Sequence, residues 1–340
     1  MKIPITQSEE WQRLQEDLGE QTHFIKEKTY QYLAIEKHTP IGKYLYCPYG
    51  PIATSKESFQ SAIESLESLG RELGAIFIRV EPFEADQSKC LPQKAKKSID
   101  LNPKETWLLD LSGSEEELKQ KLPSRLLRYH KAASKKGITI EQSHDPADIH
   151  YLLDLQRALA KEKGISTFSE HYLQTELKQS FATLYLVWYD QTKTVTNGDT
   201  WEGDGPGGGP PLSVSEMGEE KARQDPPRSK VIAAGLVFDD EATRYNLQGA
   251  QSDEGRKLHA TGILTIQLVL DAAAKGLKIF DFWGIAPEGA PDTHPWAGFT
   301  NFKKTFAGYQ YDHAGTYDLI LAPSKYKLYQ AIRRLARRLH

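Results

Sequence analysis

The chain has 340 residues, of which 39% are apolar and 26% are charged, values typical of a globular protein large enough for two domains. Forty-three basic and 46 acidic side chains give a formal charge of −3, so the overall charge gives no sign of nucleic-acid binding, and any RNA contact must depend on local patches. Two cysteines without metal-ligand spacing argue against a disulfide scaffold and favour a reducing cytoplasm. No apolar run approaches the ~18 residues of a membrane span, and the first residues do not resemble a signal peptide.

Strands and helices alternate in the first part of the chain. Branched and aromatic residues predict strands over 30–35, 44–46, 75–80 and 107–111. Apolar residues three and four apart predict an amphipathic helix over 59–73, which Gly74 ends. This order of elements predicts α/β layers.

A basic run follows between residues 119 and 136, with seven Lys or Arg and no acid. Arg125, Arg128 and Lys131 are spaced to share one helix face. Such a run is usually a solvated surface, but it is also the first candidate for contact with RNA phosphates.

The second part of the chain repeats the pattern. Periodicity predicts helices over 147–162, 263–275 and 326–340, and strands over 183–189, 231–238 and 245–249, the first two of these strands as antiparallel partners. Residues 191–230 are rich in Gly, Pro and charge, which predicts a disordered hairpin insertion.

The C-terminal helix has six Lys or Arg from Lys325 onward and no acid, so a solvated face, RNA and anionic lipid are alternatives for its outer surface.

The rest of the chain is organised around residues 277–308. An apolar strand interrupted only by Asp281 leads into a Pro/Gly-rich loop, and an aromatic and basic cluster follows that contains Phe302, Lys303 and Lys304. A loop that leaves a buried strand and returns with fixed aromatics and ammonium groups is a candidate site. For Asp281 we expect a structural role, anchoring the loop by a hydrogen bond.

These residues carry a family resemblance. DFWGI and GFTNFKKTFAG, together with YLYCPYGPI, FIRVEP, TWLLDLSGSEEEL and LQGAQSDEGRKLHATG, resemble the FemABX aminoacyltransferases, which use aminoacyl-tRNA to extend the peptide of peptidoglycan precursors. The fragments stand in the family's order and span nearly the whole chain. The resemblance implies an α/β fold with two tandem GNAT-like acyltransferase domains. Residues 1–103 with 312–340 would form the first domain and residues 104–311 the second.

The resemblance also implies a function in cell-wall biogenesis and cell shape. The chain would move an amino acid from aminoacyl-tRNA to an amine of a UDP-linked or lipid-linked muropeptide in the cytoplasm, with peripheral contact with the inner membrane surface left open. Aminoacyl-tRNA is a co-substrate, and no cofactor and no metal are expected. The alternatives are an acyl-CoA-dependent GNAT-like N-acyltransferase and a non-catalytic relative.

Site residues are carried over position by position. Lys303 matches the family's functional lysine and would stabilise the oxyanion or the leaving ribose oxygen, while Phe302 would pack on the terminal adenosine or shape the pocket. Glu81 matches an acidic position of the catalytic cleft. The expected substrate-binding residues are Trp11, Arg13, Tyr49, Arg256, His259 and Lys304.

Two positions depart from the family pattern. Tyr49 and Phe168 stand where the family commonly has arginine, so the recognition of a diphosphate-linked acceptor loses two expected cations. The chain also has no G-x-S-x-G motif, no P-loop and no motif that pairs a cysteine with a histidine. Because aminoacyl-tRNA is already an activated ester, direct attack by an amine needs positioning and charge stabilisation rather than a covalent intermediate.

Overall fold

The computed structural model describes residues 3–163, 167–192 and 229–339. Within them the chain forms two seven-stranded sheets, each with helices on its faces. Each sheet has one parallel pair of strands among antiparallel neighbours, so both are mixed. The predicted α/β class is confirmed. The predicted hairpin insertion lies, for residues 193–228, outside the described residues.

The first sheet is built from residues near both ends of the described chain. Its strand order is β1-β2-β3-β5-β14-β6, with β4 beside β2. The strands are β1 (Thr22–Lys26), β2 (Tyr30–Thr39), β3 (Gly42–Cys47), β4 (Ile52–Ala53), β5 (Phe77–Val80), β6 (Lys96–Lys97) and β14 (Tyr317–Ile320). β3 and β5 are the parallel pair.

The second sheet has the order β13-β7-β12-β11-β10-β9-β8. Its strands are β7 (Glu105–Asp110), β8 (Ile138–Ser143), β9 (Ala182–Asp190), β10 (Ser229–Asp239), β11 (Thr243–Gln251), β12 (Ile279–Gly284) and β13 (Tyr309–Asp312). β9 and β10 pair antiparallel as predicted, and β11 and β12 are the parallel pair.

Ten α-helices occur in the described parts of the chain. They are α1 (Glu9–Asp17), α2 (Lys56–Glu72), α3 (Glu115–Lys121), α4 (Ser124–Ala132), α5 (Ile149–Lys163), α6 (Glu170–Leu177), α7 (Asp253–Lys257), α8 (Ala260–Ala274), α9 (Ala297–Lys304) and α10 (Pro323–Leu339). Helix α2 begins at a Ser55 capping box, which explains why it starts before the apolar periodicity does.

Helices α1, α2, α4, α5, α6 and α8 bury apolar residues against a sheet. Helix α2 packs Phe59, Ile63 and Leu66 on the first sheet, whereas α4 and α8 cover one face of the second sheet. Helices α5 and α6 cover the other face together with α1, whose Trp11 ring contacts Phe238 edge to face at 6.1 Å.

The C-terminal part of the chain is fixed to the first sheet by a buried ion pair. Arg79 on β5 donates to both carboxylate oxygens of Asp318 on β14, at 2.8 and 2.9 Å, and both side chains are inaccessible to solvent. The Tyr326 hydroxyl of α10 donates to the same carboxylate at 2.8 Å. The first sheet and α10 are therefore linked through β14, while the predicted domain boundaries stay a prediction.

Candidate active site

The parallel strands of the second sheet separate where the site forms. β11 and β12 pair only from Thr243 opposite Ile279 to Tyr245 opposite Asp281. Beyond that point the register of β12 against β7 also breaks, between Asp281 and Gly284. A sheet that opens between two parallel strands leaves a crevice at their carboxyl ends, where ligands bind in many α/β proteins.

The break in β12 is a bulge held by Asp281. Trp283 adopts a left-handed backbone with φ of 66°, a conformation that is strained for a bulky residue. The Asp281 carboxylate accepts a hydrogen bond from the Trp283 amide at 2.7 Å and so stabilises this turn of the chain. The expected anchoring role of Asp281 is thus seen as a hydrogen bond.

A pocket of about 1130 Å³ occupies the crevice. Its walls come from β11, β12, the helices α4, α8 and α9, and the segment before β7. The lining side chains that bear on chemistry are Arg125, Tyr129, Gln251, Arg256, His259, Trp283, Trp296, Phe299, Phe302 and Lys303. Four of the sequence-predicted site residues, Phe302, Lys303, Arg256 and His259, are brought together here.

Lys303 is the cation most closely tied to the bulge. It lies in the last turn of α9, and its Nζ donates to the Gly284 carbonyl oxygen at 2.5 Å. Burial lowers the pKa of Lys303 to about 8, although the Asp281 carboxylate acts in the opposite direction. An ammonium group with a pKa so near neutrality can both stabilise negative charge and give up a proton.

A second group of polar residues surrounds the start of α8. His259 is the N-cap residue and has a left-handed φ of 56°, and its ring stacks on that of Tyr129 at 4.6 Å. Burial, with a smaller contribution from Arg125, lowers the pKa of His259, which favours the neutral imidazole. Arg125 in turn donates to the Tyr129 hydroxyl at 2.5 Å. The arrangement places two arginines and a helix N-terminus at one end of the pocket, which suits an anionic group.

Glu81 and Tyr49 lie outside the pocket but hold its wall. The buried Glu81 carboxylate accepts hydrogen bonds from the amides of residues 101 and 102 and from the side chains of Tyr46, Asn102 and Thr316. The Tyr49 hydroxyl donates to the Pro103 carbonyl oxygen at 2.7 Å. Pro103 packs closely on Gly284, where an added Cβ would lie 2.6 Å from the proline ring. Both residues therefore position the backbone whose carbonyl binds Lys303.

The other predicted substrate-binding residues do not line this pocket. Trp11 packs on the second sheet's core, and Arg13 is exposed beside Glu9. Lys304 is exposed with its ammonium 5.7 Å from the centre of the Trp107 ring. Phe168, at one of the departures from the family pattern, stacks on Tyr172 at 5.0 Å.

Sequence reasoning assigned no role to two aromatic residues at the pocket. Trp296 and Phe299 are 42% and 52% exposed although both are large and apolar. The only signal for them in the sequence was their position in the loop and cluster before Lys303. Exposed aromatic rings beside a pocket suit the stacking of a base or the covering of a ligand.

The described residues include neither a candidate metal-binding cluster nor a candidate membrane-spanning helix. Within residues 3–163, 167–192 and 229–339, no three His, Cys, Asp or Glu side chains are grouped so that they could hold a metal ion. No helix in this part of the chain combines the length and apolarity needed to cross a membrane.

A match to a known protein family covers residues of the C-terminal part of the chain. The model of the FemAB family matches residues 214–334, a range that includes β11, α8, β12 and Lys303. The chain contains a FemAB-family region. The predicted resemblance to this family is thereby confirmed. No curated protein matches the chain in sequence.

Solved structures show the same fold over almost the whole chain. The crystal structure of FemX is similar with a TM-score of 0.73 and 17% identity, covering 96% of this chain and 94% of that one. The C-terminal domain of a putative lysylphosphatidylglycerol synthetase from Agrobacterium fabrum has a TM-score of 0.54 and 15% identity, covering 94% and 90%. L-PGS from Bacillus licheniformis has a TM-score of 0.53 and 12% identity, covering 99% of both chains. Family region and fold together support an acyltransferase.

Proposed function

We propose that this chain transfers an amino acid from aminoacyl-tRNA to an amine of a peptidoglycan precursor. The observation that carries the proposal is Lys303. It is a largely desolvated ammonium in a large pocket, held at a bulge of β12, within the residues that match the FemAB family. The same pocket brings together the other polar and aromatic groups that such a transfer requires.

The reaction is an aminolysis of an ester. The acceptor amine attacks the aminoacyl carbonyl carbon, forming a C–N bond and placing negative charge on the carbonyl oxygen. Collapse of this intermediate breaks the C–O bond to the ribose, whose oxygen takes up a proton, while the attacking amine loses one. Lys303 supplies a positive charge and a donor proton for these oxygens, and a pKa of about 8 suits both functions near neutral pH.

The aminoacyl-tRNA end would approach along α4. Arg125, which lines the pocket, and Arg128 and Lys131, each a further turn along α4, are exposed. Clustered cations of this kind contact phosphates without regard to base sequence. In the pocket, Phe302 provides a surface for the terminal adenosine, as the family resemblance implies, and the exposed ring of Phe299 lies one turn before it on α9.

The phosphate of the acceptor would bind beside Arg256 and His259, which line the pocket at the start of α8 and suit the phosphate of a UDP-linked or lipid-linked muropeptide. In this proposal Arg256 supplies a cation in place of those that Tyr49 and Phe168 do not provide. Glu81, in our proposal, is a positioning residue rather than a base, because its carboxylate is enclosed by five donors.

Single-turnover transfer tests the proposal. Radiolabelled aminoacyl-tRNAs are mixed with the enzyme and a UDP-linked or lipid-linked muropeptide, and Lys303→Met is compared with Lys278→Met. Lys278 is an exposed lysine directly before β12, so its replacement controls for loss of a surface charge. We expect transfer by wild type and Lys278→Met, and a loss of about 10²-fold or more for Lys303→Met. Equal rates for the two variants would contradict the role of Lys303.

The same assay separates the alternative functions. Transfer to phosphatidylglycerol instead of a muropeptide would place the chain with the lysylphosphatidylglycerol synthetases that share its fold. Thermal stabilisation by acyl-CoA, with no binding of tRNA, would indicate an acyl-CoA-dependent N-acyltransferase. A folded chain that binds none of these substrates would be a non-catalytic relative.

A separate experiment tests the positioning role of Glu81. Glu81→Gln keeps the size of the side chain but replaces an acceptor oxygen by an NH₂ group. This group would face the side-chain NH₂ of Asn102, which now donates to the carboxylate. We expect lower thermal stability and a slower rate with an unchanged pH profile. A general base at Glu81 would instead make the acid limb of that profile disappear.

A further inference from the structure

The outer face of α10 carries an apolar stripe. Leu328, Ile332 and Leu335 are 51%, 38% and 61% exposed, and at 100° per residue they lie within an arc of roughly 60°. Three large aliphatic side chains in a row on one exposed face are unusual for a surface helix. The stripe is therefore a candidate binding surface.

The stripe is not the face that attaches α10 to the protein. That attachment is made by Tyr326 and Tyr329, whose rings lie 5.2 and 5.0 Å from the ring of Phe77. Tyr326 is buried and its hydroxyl donates to Asp318. Tyr326 and Tyr329 project roughly 160° and 100° away from Leu328, so the helix is anchored on one side and presents the stripe on another.

Cations border the stripe on both sides. Lys325 lies on one side, and Lys327 and Arg334 lie on the other; all three are exposed. No acidic residue occurs from 323 to 340, although the chain as a whole has a formal charge of −3. Positive charge is thus concentrated where the apolar residues are exposed.

We propose that α10 docks on an anionic membrane surface, with the stripe inserted at the level of the headgroups and its cations on the lipid phosphates. A helix with an apolar face flanked by Lys and Arg lies in the interface in this way. RNA would use the cations but leave the leucines exposed to water, and a second copy of this chain would bring like charges together. A lipid surface satisfies both features.

Vesicle binding tests this surface without any substrate. Vesicles of phosphatidylcholine alone are compared with vesicles that also contain phosphatidylglycerol or phosphatidylserine, by co-sedimentation of the full chain. Two variants are used: Leu328→Gln/Ile332→Gln/Leu335→Gln, which keeps residues of good helix propensity, and Lys327→Gln/Arg334→Gln. Ile99→Gln, at an exposed aliphatic residue away from α10, is the control, and circular dichroism verifies that each variant is folded.

We expect wild type and Ile99→Gln to bind both kinds of anionic vesicle and to be released by salt, and both α10 variants to bind about tenfold or more weakly. Transfer to a soluble UDP-linked acceptor should be unchanged in the α10 variants. Several results would overturn the inference: no binding by wild type, binding that ignores lipid charge, or full binding by the stripe variant. So would a wild-type dimer in ultracentrifugation that the stripe variant abolishes, or charge-dependent tRNA binding without vesicle binding. The vesicle, tRNA-binding and ultracentrifugation measurements need no catalysis, so they are independent of the proposed transfer reaction.

Discussion

The charge on Lys303 should change within the pH range in which the enzyme can be assayed. Burial lowers the pKa of this lysine to about 8, so roughly 90% of it is charged at pH 7 and roughly 10% at pH 9. If the cation stabilises the transition state, its contribution to the rate falls about tenfold between these values. An unperturbed lysine, with a pKa of about 10.4, would stay almost fully charged over the same range.

The measurement must separate Lys303 from the acceptor amine, which also loses its proton as the pH rises. Lys303→Arg serves this purpose because a guanidinium stays charged throughout. The ratio of wild-type to Lys303→Arg single-turnover rates cancels the titration of the acceptor. We expect this ratio to decrease about tenfold from pH 7 to pH 9.

A direct titration supplies the second readout. In protein labelled with carbon-13 at the lysine ε position, the resonance absent from Lys303→Arg reports the protonation of Lys303. Its midpoint should lie near the expected pKa of about 8. A midpoint above about 10, or a rate ratio that does not vary with pH, would refute the reasoning that connects burial, pKa and catalysis.

Three further predictions concern packing and buried charge. In Gly284→Ala the added Cβ would lie 2.6 Å from Pro103, so this variant should lower the free energy of unfolding by about 1–3 kcal/mol and slow transfer. In Gly298→Ala the added Cβ meets nothing within 4 Å, so this variant should be neutral or stabilising. Equal urea midpoints for the two variants would contradict this. Asp318→Ala leaves the buried Arg79 charge uncompensated and should cost about 3–5 kcal/mol in urea unfolding, so a cost below about 1 kcal/mol would refute the importance of this ion pair. Burial raises the pKa of Glu176 to about 8. The folded state therefore retains a proton that the unfolded chain releases above about pH 4.3. As a result, the free energy of unfolding of wild type should fall as the pH rises from about 4.5 to 8. Glu176→Gln should remove this fall in the free energy of unfolding, which reaches up to ~1.4 kcal/mol per pH unit. Identical pH dependences of the urea midpoint for wild type and the variant would show that Glu176 ionises normally.

Several elements were predictable because their own residues favour them. The strands over 183–189 and 231–238 are runs of branched and aromatic side chains, and they form the antiparallel pair β9 and β10. The helix predicted over 59–73 follows from its apolar spacing. In the structure it starts earlier than predicted, after the Ser55 capping box. In these segments local propensity and tertiary packing favour the same structure.

Helix α9 could not be predicted in this way. Its sequence, AGFTNFKK, contains Gly298 and residues of modest helix propensity. The helix is fixed by contacts outside it: the buried Thr300 hydroxyl accepts a hydrogen bond from the Ala286 amide at 2.8 Å. The family resemblance located Lys303, but not the helix that carries it.

The sequence by itself determined which chemical groups were available: the lysine and aromatic cluster of 299–306, the basic run before 136, and the basic C-terminal helix. Their surroundings were decided by the tertiary structure. The separation of β11 from β12 creates the pocket, the bulge at Trp283 presents the Gly284 carbonyl to Lys303, and the attachment of α10 through its tyrosines turns its leucines outward. The physical reason is that pKa values and exposure depend on desolvation by residues distant in the chain, which no local pattern encodes.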